Sequence, residues 1–198
     1  MKSTAPALPT HGGFAVHPLT AGRWADFEKL FGAHGAYGGC WCMWWRSTRR
    51  EFEARKGEGN RLALKAIVDA GKVPGIMAYL GREPVGWCSV APREEFSSLE
   101  RSPVLKRLDD QPVWSIVCFY VANRFRGQGG AEALIGGALD YAKARGGAIL
   151  EAYPTPPKTT PLAPVSSFMG LPAMFGRAGF VECARPSRSK IIMRCRID

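Results

Sequence analysis

Two hydrophobic periods run along the chain. Phe14 to Leu19 reads as a short strand. Trp24, Phe27, Leu30 and Phe31 then recur at helical spacing, which predicts an amphipathic helix over residues 21–33 with Thr20 as its N-cap. Glycines 32, 35, 38 and 39 interrupt it and lead into GGCWCMWWRS, residues 38–47. A polar helix is expected near 47–57, and a cleaner one, RLALKAIVDAG, is expected to start at Asn60 as cap and end at Gly71. GIMAYL and PVGWCSVA read as a hairpin turning through Gly81 to Pro84. Residues 92–111 look irregular or briefly helical. VWSIVCFYV, residues 113–121, is a continuous run of β-branched and aromatic side chains and predicts a strand buried on both faces. A glycine-rich turn, the helix AEALIGGALDYAKARGG and the strand AILEAY follow. Residues 154–166 hold five prolines and read as a loop. GLPAMFGRAG is a short helix closed by Gly179, and FVECAR and SKIIMRCRI form a final strand pair. The order predicts a mixed α/β sheet with helices on both faces, without internal repeat or linker.

The 198 residues fit one domain, read here as 14–198 behind a flexible lead-in of residues 1–13. No apolar run is long enough for a transmembrane helix, and the N-terminus lacks an apolar signal core, so the expected location is cytoplasmic, away from any membrane. Six cysteines in such a chain are expected as free thiols, with Cys88, Cys118 and Cys195 acting as small buried hydrophobes inside strand-like runs. The net charge of +10 suits an anionic partner such as nucleic acid, a membrane surface or a phosphorylated small molecule. The basic clusters at 46–56 and 185–196 are read as solvated faces.

The chemistry concentrates at VANRFRGQGGAEALI, residues 121–135. A buried strand ends at Val121 and a helix begins near Gly129 or Gly130. Gly127, Gly129 and Gly130 remove side chains where the phosphates of a ligand could approach the backbone. The first amides of the helix lack internal partners and, with the helix dipole, form an anion site. Neither the Walker pattern GxxxxGK[ST] nor GxGxxG is present.

Arg126-Gly127-Gln128-Gly129-Gly130-Ala131 after a buried strand resembles the R/Q-x-x-G-x-G/A signature of the GNAT acetyltransferase superfamily. The element order and the closing Ala178-Gly179-Phe180 corner extend the resemblance over roughly residues 14–196. It implies a mostly antiparallel sheet with one splayed strand pair, an N-acetyltransferase activity and acetyl-CoA as co-substrate. The implied donor-binding residues are Val121, Arg126, Gly127, Gln128, Gly129, Gly130 and Ala131. The implied partner is a small-molecule or peptide amine, and a homodimer is left open. The chain departs from the family where a tyrosine often protonates the departing thiolate: Phe175 stands there, and Phe168 replaces a frequent asparagine. Solvent, Tyr153 or Tyr120 is left for that role. The base is open among Glu151, Glu94, Glu95 and a water chain. Glu151 and Tyr153 share one face of their strand, which makes them the candidate catalytic pair. Cys118 as a nucleophile lacks a local histidine, with His11, His17 and His34 far upstream in sequence.

The resemblance also places the segment after the first helix in one wall of the acceptor pocket. Trp41, Met43, Trp44 and Trp45 are then candidate lining residues, with core packing as the competing role. Cys40-x-Cys42 lacks a second pair at zinc-finger spacing, and no metal is expected. Trp45-Arg46 with Arg49 and Arg50 matches a nucleic-acid surface only loosely. A non-catalytic acyl-CoA- or nucleic-acid-binding module stands as the alternative function.

Overall fold

The computed structural model describes residues 8–156 and 168–197. Strand β1 (Ala15–Pro18) leads through a 3-10 turn into α1 (Trp24–Phe31). After the glycine-rich segment come α2 (Arg49–Ala54), α3 (Glu58–Asp69), and the hairpin of β2 (Ile76–Leu80) with β3 (Glu83–Pro92). The short α4 (Ser97–Glu100) precedes β4 (Trp114–Val121), α5 (Gly130–Lys143) and β5 (Ile149–Ala152). The chain closes with α6 (Pro172–Arg177), β6 (Val181–Ser187) and β7 (Lys190–Arg196). The proline-rich loop expected at 154–166 lies largely outside the described residues.

All seven strands join one sheet in the order β1-β2-β3-β4-β5-β7-β6. Every neighbouring pair is antiparallel except β4 and β5. That parallel pair holds for only three positions, Trp114 to Ile116 against Leu150 to Ala152. Beyond Ile116, β4 keeps β3 on one side and loses β5 on the other, so the expected splayed pair is present. A bulge accompanies the parting. Ser89 pairs with Cys118 and Val90 with Ile116, which leaves Val117 as the extra residue. Val117 and Cys118 therefore both pack on the face opposite Ile116 and Phe119.

One face of the sheet is covered by α5, whose Leu134, Ile135 and Ala138 pack on Val16, Ala78 and Ile116. The opposite face carries α1 and α3, with Phe27, Phe31 and Leu64 against Met77 and Trp87. Beside it, Phe96, Leu99 and Leu105 cover Val117 and Tyr153. No helix among the described residues is long and apolar enough to cross a membrane.

Five local expectations change. The Thr20 side chain caps nothing. Asn60 lies inside α3, whose N-cap is Gly57, and Asn60 is fully buried. Its Nδ2 donates to the carbonyls of Gly39, at 3.1 Å, and Phe52, at 3.4 Å, so it ties helix to loop. In the expected lead-in, Leu8 touches the core and His11 Nε2 lies 2.7 Å from Asp140, while residues 9, 10, 12 and 13 are exposed. The basic clusters are not wholly solvated, since Arg46 is buried against Glu95 and Phe96, and Arg194 pairs with Glu151 and Asp109. Cys88 is buried, but Cys118 and Cys195 are only partly so.

Replacing Asn60 with alanine should lower the unfolding free energy by about 1–3 kcal/mol, because two carbonyls lose a buried donor. Urea denaturation measures this as a lower midpoint at constant slope.

Candidate functional site

The parting strands open a cavity of about 1160 Å³. Its floor is the free end of β4, with Cys118, Phe119, Tyr120 and Val121 all contributing. The turn after β4 forms one end. Arg126 and Ala131 line the cavity, and the glycines lie between them in the chain. Gly129 caps α5 in the left-handed conformation, φ 87°, and Gly127 has φ 74°. A side chain at either position would be strained, and a Cβ on either would meet no atom within 4 Å. That corner is therefore open. Among the described residues, the amides of Gly127 through Ala131 donate to no backbone carbonyl, and the first internal bond of the helix runs from the Ala133 amide to the Gly129 carbonyl. Successive free amides at the positive end of a helix dipole are a site for a diphosphate. Arg126 Nε donates to the Val121 carbonyl at 3.0 Å and Gln128 Nε2 to the Arg124 carbonyl at 2.9 Å, so both side chains brace the turn.

The opposite wall is the CWCMWW segment. Trp41 and Cys42 adopt positive φ, 45° and 58°, which costs non-glycine residues about 1–3 kcal/mol each. Packing holds them there. The Trp41 ring stacks on Phe31 and passes so close to Gly35 that a Cβ at Gly35 would sit 2.4 Å from the indole nitrogen. Trp87 Nε1 donates to Cys42 Sγ at 3.0 Å. This folding sorts the four expected lining residues. Trp44 and Trp45 face the cavity, whereas Trp41 and Met43 are buried in the core and do not line it. Cys40 and Cys42 take their places beside Cys118. Hydrogen bonds from Cys118 and then Trp87 hold the Cys42 thiol below its ordinary pKa despite burial, while Cys118, as the donor to Cys42, is pushed up. Burial, with Cys42 nearby, raises Cys40 to about 11. The indole N–H of Trp45 is buried without a hydrogen-bond partner among the described residues.

The far rim comes from Phe168, Gly170, Leu171 and Met174 around the start of α6, and from Lys190 at the start of β7. The Phe168 carbonyl accepts the Phe119 amide at 2.6 Å, which fastens this rim to the unpaired edge of β4. Burial lowers the pKa of Lys190. Nothing in the sequence marked Lys190 beyond its basic surroundings, nor Tyr37 and Lys56 on the near side; the topology alone assembles them.

Glu151 and Tyr153 do come together, but beneath the cavity rather than in it. Both are fully buried. Glu151 accepts from Arg93 Nη1 at 2.8 Å, Arg194 Nε at 2.7 Å and the Tyr153 hydroxyl at 2.5 Å. Arg93 and Ser115 also meet that hydroxyl, each at 2.8 Å. Burial, then the neighbouring Glu151 charge, drives the phenol well above its ordinary pKa. Glu94 pairs with Arg107 and Glu95 with Arg46, and neither lines the cavity. His11, His17 and His34 also lie off it. Phe175 is buried between Phe119 and Phe180, and Tyr120 is the β4 phenol that faces the cavity.

A glycine-turned anion corner beside a splayed strand matches what comparison with known proteins finds. The model of the Acetyltransferase (GNAT) family matches residues 41–161. The chain belongs to the GNAT acetyltransferase family. It is an acyltransferase, and its mixed, mostly antiparallel sheet is the GNAT fold. A GNAT-family acetyltransferase from Streptococcus agalactiae superposes with a TM-score of 0.56 at 15% identity, over 96% of this chain and 98% of that one. Arylalkylamine N-acetyltransferase 2 from Aedes aegypti gives 0.55 at 16% identity, over 93% and 99%. The PaiA N-acetyltransferase from Thermoplasma acidophilum, solved with coenzyme A, gives 0.51 at 11% identity, over 92% and 98%. These identities establish likeness of fold. Comparison with curated protein sequences gives no match.

The buried cluster under the GNAT cavity makes a stability prediction. Glu151→Ala leaves Arg93 charged and short of its buried partner, and should destabilise the fold by about 3–5 kcal/mol. Tyr153→Phe should cost about 1–3 kcal/mol. Thermal unfolding measures both.

Proposed function

We propose that a single catalytic domain, residues 14–198, moves an acetyl group from acetyl-CoA directly to an amine. The observation that carries this reading is the run of amides from Gly127 to Ala131 that meet no backbone acceptor among the described residues, in a turn whose two ends, Arg126 and Ala131, line the cavity along β4. These amides, with the dipole of α5, hold the diphosphate. Arg126 braces the turn through Val121 and adds positive charge nearby. The pantetheine arm lies along Phe119 to Val121, where β4 has lost β5 and has backbone to offer. Bound this way, the thioester supplies an activated acyl carbon for attack by an amine.

The wall of Trp44 and Trp45 orients the acceptor and keeps the reacting region poor in water, which strengthens every polar contact made there. Glu151 and Tyr153 belong to the scaffold in this reading. Each is saturated with hydrogen bonds, and neither reaches the cavity. Tyr120 takes the proton-donor role instead, since it combines a phenol with a place on the cavity floor. No carboxylate or imidazole lines the cavity among the described residues, so the amine loses its proton to water before attack. Six free thiols fit a reducing compartment, which supports a cytoplasmic location.

Calorimetric titration should find saturable acetyl-CoA binding to the wild type. Gly129→Val forces a β-branched residue into left-handed backbone and should weaken binding about tenfold or more. Absence of binding to the wild type at millimolar ligand would refute the reading. Tyr120→Phe should lower kcat by about tenfold or more. Tyr153→Phe, once corrected for lost stability, should leave kcat in place.

A further inference from the structure

Charges of one sign face the cavity. Lys56, Arg126 and Lys190 line it, and among the described residues no aspartate, glutamate or histidine does. The stretch 157–167, which lies outside the described residues, reads PKTTPLAPVSS and contains one lysine but no carboxylate or imidazole. Arg126 belongs to the turn that holds the donor. The two lysines do not. Lys56 follows α2, and its Cγ would lie 3.2 Å from a Cβ built on Gly39, at the foot of the tryptophan wall. Lys190 opens β7, on the far side of β5 from β4.

Neither lysine has an ion-pair partner among the described residues. The arginines with largely buried side chains, Arg46, Arg93 and Arg194, all meet carboxylates. Lys190 is also half-buried, and an ammonium ion drawn out of water without a counter-charge is costly. Around these cations the surface is aromatic: Tyr37, Trp44, Trp45, Phe119 and Phe168 all contribute. Trp45 adds its buried indole N–H, a donor with no partner among the described residues.

We propose that the acceptor is an amine carrying an aromatic ring and a negatively charged group, its ring against Trp44 and Trp45 and its anion drawn by the positive field of Lys56 and Lys190. This inference rests on the acyl-transfer reading above. An anion supplies the counter-charge that half-buried Lys190 and exposed Lys56 lack, and its oxygens accept from an ammonium group. A second positive charge on the acceptor would meet repulsion and no carboxylate. The same cations favour the neutral form of the attacking amine. Only that form is nucleophilic, and the cavity offers no carboxylate or imidazole to generate it. Charge selectivity and nucleophile activation therefore have one source.

A matched series tests this: 4-(aminomethyl)benzoate, benzylamine and 4-(aminomethyl)benzamidine share ring and amine and differ only in the para group. Free-thiol release from acetyl-CoA should give kcat/KM in the order carboxylate, hydrogen, amidine, with about tenfold or more between the ends, the size of one lost charge-assisted hydrogen bond. Lys56→Glu with Lys190→Glu should reverse that order and leave acetyl-CoA affinity within about twofold. Equal or faster turnover of the amidine overturns the proposal. So does an order unchanged in the double variant, or a loss of acetyl-CoA affinity that assigns the lysines to the donor. Titration of the carboxylate and amidine compounds into the CoA-loaded protein separates the two layers. Tighter carboxylate binding without any thiol release refutes acyl transfer to these amines and retains the charge selectivity; tighter amidine binding overturns the selectivity itself.

Discussion

The separation of β4 from β5 after three paired residues is the constraint on which the rest depends. Parallel strands that stayed paired to their ends would seal the sheet and leave no cavity. The paired end is locked from below. Ser115 on β4, Glu151 on β5 and Tyr153 just beyond it share one hydrogen-bonded cluster around Arg93, which is itself held by the Leu105 carbonyl and by Glu100. Past that lock the Val117 bulge turns β4, and its freed edge is met by the Phe168 carbonyl at Phe119 and by the Arg126 side chain at Val121. The buried charges thus lie at the hinge of the fork, away from its open end.

The two sides of the open end are built by opposite means. At the turn after β4, glycines expose backbone: left-handed residues are needed at 127 and 129, and a Cβ at either would meet no atom within 4 Å. On the tryptophan wall, bulky residues hold a strained backbone in place. Trp41 and Cys42 are kept left-handed by stacking on Phe31 and by the Trp87 hydrogen bond, and that twist sends Trp41 and Met43 inward and Trp44 and Trp45 outward. The GGCWCMWWRS stretch is therefore core and pocket wall at once.

Much of the architecture was legible in the sequence. The buried run at 113–121 and the glycine turn after it fixed β4 and the start of α5, because local composition decides those elements. The features that failed to show depend on distant partners. Asn60 looks like a cap and is instead a buried tie, since the carbonyls that receive it belong to Gly39 and Phe52. Glu151 and Tyr153 share a strand face, as their spacing required, but only the tertiary fold puts Arg93 and Arg194 over that face. Which tryptophans line the cavity follows from two positive φ angles that no propensity foretells. Lys56 and Lys190 are separated by more than half the chain, and sequence gives no hint that they share one surface.

Backbone amide exchange, followed residue by residue with and without coenzyme A, bears most directly on the central claim. The account predicts slowed exchange at Gly127 through Ala131 and along the freed end of β4, with the Arg93 cluster unchanged. Protection confined to other surfaces, with these amides still exchanging freely in the presence of saturating coenzyme A, would contradict it.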